Sequence, residues 1–139
     1  MNKVAIVTGA SRGIGAATAL ELARRGYDLC INYIEQTAAA ERTAAAAREY
    51  GVRCITHQAD VADAAAVRAM HRRCVEELGE VTLLVNNAGI ARQQQFQDID
   101  AATWKRLFDV NLGGCFNCTQ AVLPHMLHEK AGVIVNISS

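Results

Sequence analysis

Neither sign of charge is in surplus in this sequence, in which fourteen Lys and Arg balance fourteen Asp and Glu. Arg24, Arg25, Arg42, Arg48, Arg68, Arg72 and Arg73 are dispersed among acidic residues and form no stripe, which argues against nucleic acid as a partner. No apolar run approaches the ~18 residues that a membrane span requires, and Val4 to Val7 is too short for the core of a signal peptide. The sequence therefore reads as soluble and cytoplasmic. There is no even set of cysteines either: the five, Cys30, Cys54, Cys74, Cys115 and Cys118, suit reduced and mostly buried thiols better than a disulfide framework. Cys115, Cys118, His125 and His128 share one helical face. At 1.5 Å per residue, however, Cys118 and His125 lie about 10 Å apart along the axis, too far for ligands that must each reach within ~2.0–2.3 Å of one ion. No metal site is expected.

Just over half of the residues (51%) are apolar. A chain of this length buries roughly 68–70% of its unfolded surface, enough for one core and too little for two. One domain, 1–139, is expected. Short β-rich runs alternate with helical stretches, beginning with Lys3 to Thr8, a helix from Gly13 to Arg25, and Leu29 to Tyr33. That order predicts an α/β fold, a parallel sheet with crossover helices. A second helix, Thr37 to Tyr50, is Ala-rich, with Gly51 in the stop position. Cys54 to Asp60 is a third strand, and Asp63 caps a helix from Ala64 to Leu78 that Gly79 ends. Leu83 to Val85, all apolar, suits a strand covered on both faces. Ala101 to His128 reads as a long helical region and Val133 to Ile137 as a fifth strand. With strand order 3-2-1-4-5 that last strand is an apolar edge, so self-association of the isolated chain is expected.

Within the long helical region, Asp109-Val110-Asn111-Leu112-Gly113-Gly114 is poor helix material, because each interior glycine costs about 1 kcal/mol relative to alanine. A close packing contact, a kink or a functional side chain must hold it.

A pyrophosphate needs backbone N–H groups aimed at it, no Cβ in the way, and the positive potential of a helix N-terminus. Strand one runs through Thr8-Gly9-Ala10-Ser11-Arg12-Gly13-Ile14-Gly15 directly into a helix, and its three glycines meet the first two requirements. The spacing is G-x-x-x-G-x-G, not the generic G-x-G-x-x-G. Taken alone, such a turn is also what a tight strand-to-helix connection looks like. Asp60 could likewise only open the turn before the third helix, and Asn86, Asn87 and Gly89 only mark a loop. All of them nevertheless fall at the carboxyl ends of strands, where open α/β sheets bind ligands.

Together, Thr8 to Gly15, Asp60-Val61, Asn86-Asn87-Ala88-Gly89, Asn111 and the run Val133 to Ser139 resemble the short-chain dehydrogenase/reductase family, with the motifs in family order along the whole chain. Val85 to Ile90 and the surroundings of Asn111 look most like its 3-oxoacyl-acyl-carrier-protein reductase branch. The resemblance implies a three-layer, doubly wound Rossmann-like parallel sheet of order 3-2-1-4-5, with the C-terminal strands absent. It implies an oxidoreductase that reduces a carbonyl, on a small molecule or bound to an acyl carrier, to a secondary alcohol with a nicotinamide cofactor. Gly9, Ser11, Arg12, Gly13, Ile14 and Gly15 would hold the phosphates and nicotinamide side, Asp60 and Val61 would flank the adenine, and Asn86, Asn87, Ala88 and Gly89 would line the cofactor channel. The full-length protein would be a homo-oligomer, dimer or tetramer, paired through the long helical region.

Cofactor choice rests on the end of strand two. Counting about 20 residues beyond the glycines to the acid that holds ribose hydroxyls lands on Glu35. In NAD-preferring members of the family the acid ends the strand itself, and here that position is Tyr33, after Asn32. With no carboxylate there and Arg12 in the turn to pair with a 2′-phosphate, NADP(H) is favoured over NAD(H). Glu35, swung inward, would reverse the preference, and Arg12 read blandly is a solvated surface charge.

In this family a tyrosine protonates the carbonyl oxygen, a lysine lowers that tyrosine's pKa, a serine orients the carbonyl and an asparagine holds a water relay. Asn111 matches the asparagine and Ser139 the catalytic serine, with Ser138 as the neighbour to be told apart from it. The family's Tyr-x-x-x-Lys has no counterpart: Tyr27, Tyr33 and Tyr50 lack a lysine four residues on. The chain is therefore expected to be the N-terminal portion of an NADP(H)-dependent carbonyl reductase, inactive as it stands. The competing expectations are a non-catalytic NADP(H)-binding module and an interaction fragment.

Overall fold

The first apolar run, Val4–Val7 (β1), is buried at every residue because it lies at the middle of a five-stranded sheet. The computed structural model describes residues 2–138, and the description below concerns these. After β1 come α1 (Gly13–Arg24), β2 (Asp28–Tyr33), α2 (Thr37–Arg48), β3 (Cys54–Gln58), α3 (Ala64–Leu78) and β4 (Leu83–Asn86). A single 3-10 turn (Phe96–Asp98), α4 (Ala101–Asn111), α5 (Gly113–Glu129) and β5 (Val133–Asn136) follow. The strands are ordered β3-β2-β1-β4-β5 and every neighbouring pair is parallel, as the alternation of elements implied.

Two-residue periodicity divides the core into two layers. Val4 and Ile6 of β1, with Cys30 of β2, point to one side and meet Val67, Met70 and Cys74 of α3 and Cys118, Val122 and Met126 of α5. Ala5 and Val7, with Leu29 and Ile31, point to the other side, where Ala19 and Ala23 of α1 and Ala40, Ala44 and Ala47 of α2 close on the sheet. The alanines bring the helices in close, while the large residues supply the burial term. Truncating a fully buried Ile6 or Leu29 to alanine would cost about 2–5 kcal/mol.

Helix boundaries follow the local chemistry. The Asp63 carboxylate accepts from Ala65 N and Ala66 N to start α3, and Gly79 ends it at a φ of 111°. Helix α2 stops at Arg48, slightly before the expected Tyr50, and Gly51 adopts a φ of 86° behind it. The expected single helical region from Ala101 to His128 is instead two helices that meet at Leu112. At the junction a Cβ on Gly114 would stand 2.5 Å from Val61 Cγ2, so the glycine is required by close packing of α5 on the chain after β3. Four cysteines are buried and Cys115 is half-buried. Burial in apolar surroundings pushes the Cys54 and Cys118 thiols up to about 12.

Candidate functional site

All five strands deliver their carboxyl ends to one rim of the sheet, and a cavity of about 830 Å³ opens there, a volume ordinary for a cofactor or small-molecule site. Its wall includes Gly9, Ser11, Arg12 and Gly13 from the turn after β1, Tyr33 to Gln36 after β2, and Asn87 to Arg92 after β4. Asp100, Thr103 and Arg106 of the α4 region close the far side. The Asp100 carboxyl is held below its usual range by the Thr103 amide, which donates to it at 2.7 Å.

The turn is built by its neighbours. Thr8, fully buried, accepts Asn87 N (3.0 Å) and Ala88 N (2.9 Å) on its hydroxyl, so the chain leaving β4 is tied to the chain leaving β1. The Asn87 side-chain amide donates to Thr8 O (3.2 Å) and Gly9 O (3.1 Å). From the other flank, Asn32 Oδ1 accepts Gly9 N at 3.2 Å and the Asn32 carbonyl accepts Ala10 N at 2.9 Å. Gly9 has a φ of +60° and a Cβ there would meet Ala88 Cα at 2.8 Å; a Cβ on Gly15 would overlap Gly9 O. These two glycines therefore serve the packing of turn, helix and β4 loop.

Gly13 differs: its φ is +63° and nothing lies within 4 Å of where a Cβ would be. It begins α1, whose N-cap residue Arg12 makes no side-chain capping bond and whose first turn carries no acidic residue. Gly13, at the positive end of a twelve-residue helix without a side-chain cap, thus lines the cavity, a fit for a phosphate-bearing ligand. Arg12 is exposed beside them, and Glu35 lies on the same wall.

The remaining candidates divide between wall and support. Tyr33, Ala88 and Gly89 are wall residues. Ile14 is 65% exposed and is not part of the cavity wall. Asn32 is 1% exposed and sits beneath the turn, outside the cavity wall. Asp60 forms the turn before α3, accepting Ala62 N at 3.0 Å, and pairs with Arg106 Nη1 at 2.8 Å. Val61 is buried against Gly114, and its carbonyl accepts Asn117 Nδ2 at 2.8 Å. Asn86 is buried between β4 and β5, donating to Asn136 Oδ1 at 2.9 Å. Asn111 ends α4 and exchanges two hydrogen bonds with the Ile90 backbone. Ser138 is exposed, and Ser139 lies outside the described residues. Among the described residues no three His, Cys, Asp or Glu side chains are grouped to hold a metal, and no helix is long and apolar enough to cross a membrane.

Sequence reasoning missed Ile34, Gln36, Arg92, Thr103 and Arg106. They come from loops and from α4, which packs on α5 and reaches the loop at Asp60. Gln36 adopts a φ of 66° at the start of α2, with no glycine or asparagine to signal it.

A family model described as short chain dehydrogenase matches residues 3–139. The 3-oxoacyl-acyl-carrier-protein reductase FabG of Staphylococcus aureus strain Mu50 is 43% identical over 139 residues, all of this chain and 56% of that protein. A 3-oxoacyl-acyl-carrier-protein reductase of Synechocystis sp. is 42% identical over 137 residues, 99% of this chain and 56% of that protein. A crystal structure from Sinorhizobium meliloti 1021, described as that of a short-chain alcohol dehydrogenase, superimposes with a TM-score of 0.93 at 35% identity, over all of this chain and 55% of that one. The chain thus spans about half the length of the relatives it matches.

Proposed function

The chain belongs to the short chain dehydrogenase family, and from that premise we propose that residues 1–139 are the dinucleotide-binding domain of an NADP(H)-dependent reductase that converts a 3-oxoacyl thioester on an acyl carrier to its secondary alcohol. The observation that carries the reading is the uncapped N-terminus of α1 opening, through a glycine turn clamped from both flanks, onto the cavity at the carboxyl ends of the strands. The substrate class follows the names of the relatives at 42–43% identity. Arg12 on the cavity wall supports NADP(H), and so does an uncharged Tyr33 where β2 ends.

A nicotinamide held there would be the source of the hydride for the carbonyl carbon. The chain's own residues bind and orient. Backbone amides of the turn and α1 would receive the phosphates, Arg12 would pair with the 2′-phosphate, Asp60 and Val61 would flank the adenine, and Asn87, Ala88 and Gly89 would line the cofactor channel. Asn111 fixes that channel through Ile90, and Ser139, by the family resemblance alone, would orient the substrate carbonyl. The proton donor is sought in a tyrosine with a lysine four residues on, a pattern these 139 residues do not contain. Large apolar side chains exposed along α4 and α5, Trp104, Phe108, Leu112 and Phe116, support a homo-oligomer. The reading carries with it a cytoplasmic location.

Calorimetric titration of the purified protein with NADPH and NADH tests the proposal. Micromolar or tighter NADPH binding, with NADH at least tenfold weaker, is expected, and absence of NADPH binding by folded protein would overturn it.

A further inference from the structure

Asn32 is 1% exposed and lies outside the cavity wall, its side chain and its backbone carbonyl spent on neighbouring backbone. Its Oδ1 accepts Gly9 N at 3.2 Å, its backbone carbonyl accepts Ala10 N at 2.9 Å, and its Nδ2 donates to Ala59 O at 3.0 Å. A longer contact runs from Nδ2 to His57 O at 3.5 Å. One side chain at the end of β2 therefore joins the turn after β1 to the chain leaving β3. Ala59 immediately precedes Asp60, and Gly9 lies four residues before the first residue of α1.

We propose that Asn32 is a positioning residue for the dinucleotide: it locks the phosphate turn and the loop at Asp60 into one rigid unit, so that the cofactor meets both ends of its site preformed. The inference rests on the dinucleotide reading above. Only a group with an acceptor on one branch and a donor on the other satisfies Gly9 N–H and Ala59 C=O together, and a buried group that loses either partner stays unsatisfied. Aspartate has the same shape but, ionised, sets a second oxygen against the Ala59 and His57 carbonyls. Protonated, its O–H restores the donor. Burial and those two carbonyls both favour the neutral form.

The test is NADP+ affinity of Asn32→Asp relative to wild type, by calorimetry between pH 5.5 and 8.5, with circular dichroism to confirm that the protein titrated is folded. The expected result is binding about 10-fold or more weaker at pH 8.5, the scale of one unsatisfied buried group, returning toward wild type as pH falls. A purely structural role would lower the melting temperature and leave the folded protein's affinity ratio flat with pH, which would overturn the proposal. Asn32→Ala is expected to bind weakly at every pH, and wild-type affinity in folded Asn32→Ala would also overturn it. Should neither variant fold, hydrogen exchange of the wild type decides: the Gly9 and Ala10 amides are expected to exchange as slowly as those of β2 without ligand, and fast exchange refutes the clamp. Wild type that binds no NADP+ would sink the dinucleotide reading, with the exchange measurement still able to find the clamp intact.

Discussion

Asn111 and Ile90 exchange two hydrogen bonds of 2.9 Å, Ile90 N to Asn111 Oδ1 and Asn111 Nδ2 to Ile90 O, so a side chain stands in for a strand partner on the loop that follows β4. Gly89 lies beneath the pair, where a Cβ would approach Asn111 Oδ1 to 3.1 Å. The end of α4 and the inner wall of the cavity are therefore set by one contact.

Asn111→Ala removes both bonds. Because Ile90 is 40% exposed, water replaces part of the loss, and the expected cost is about 1 kcal/mol, toward the low end for hydrogen-bond deletions. Urea denaturation measures it. Limited proteolysis is expected to cut the variant faster between residues 88 and 95, and an unchanged cleavage rate would remove the anchoring role.

Gly15→Ala sets two effects against each other. Alanine inside a helix ordinarily gains about 0.5–1 kcal/mol over glycine. Here the added methyl would overlap Gly9 O and press on the Asn87 amide at 2.6 Å, two groups hydrogen-bonded to each other, with the amide held by Thr8 O as well. The clash is expected to win, with destabilisation of about 1–3 kcal/mol and weaker NADPH binding. A thermal scan showing a gain in stability would contradict the packing described.

Arg12 and Glu35 face the same cavity with opposite charge. Arg12→Ala is expected to reduce the preference for NADPH over NADH by roughly 10- to 100-fold, the worth of one charge-assisted hydrogen bond. Glu35→Gln is expected to move the preference the other way. Paired calorimetric titrations of each variant with the two cofactors read both changes, and equal losses for NADPH and NADH would assign Arg12 to the shared phosphates instead.

His71 on α3 is partly buried, with its Nε2 atom unpartnered. Burial, opposed by Glu80 and assisted by His125 across on α5, holds its pKa below the ordinary 6.5. Glu80 in turn lies 3.7 Å from His125 Nδ1. A base with a depressed folded-state pKa takes up its proton more readily when unfolded, so its contribution is complete above about pH 6.5 and is lost as pH falls toward the folded value. The urea midpoint is expected to drop between pH 7.5 and 5.5 and to drop less in His71→Gln. Parallel curves would place the acid sensitivity elsewhere, with His57, also lowered by burial, as the next residue to change.

The order of elements was legible because strands buried on both faces must be apolar throughout, as Val4 to Val7 and Leu83 to Val85 are, and because Asp63, Gly79 and Gly51 mark their turns by chemistry that is local. The glycine turn was legible for the same reason. What could not be read was the direction in which a polar side chain is spent. Asn32 and Asn87 have the composition of ligand contacts, yet their amides are committed to backbone, that of the turn and, for Asn32, also that of the chain leaving β3. Arg106 reaches the site only because α4 docks beside Asp60, 46 residues earlier in the chain, and no spacing along the sequence announces that. The break at Leu112 fell between two helices of good length, where low propensity alone does not separate a kink from an interruption.

The bonds from Ala88 N and Asn87 N to the Thr8 hydroxyl close a loop of about eighty residues, within which three strands and three helices must already be in place. Such distant pairings are assembled late in folding, since their chain-closure entropy is repaid only when the intervening elements have docked. The phosphate turn has no early, local version of itself. In a refolding experiment, far-ultraviolet ellipticity is expected to recover ahead of nucleotide binding, and the competence to bind should arrive with the slowest phase that sets β4 beside β1.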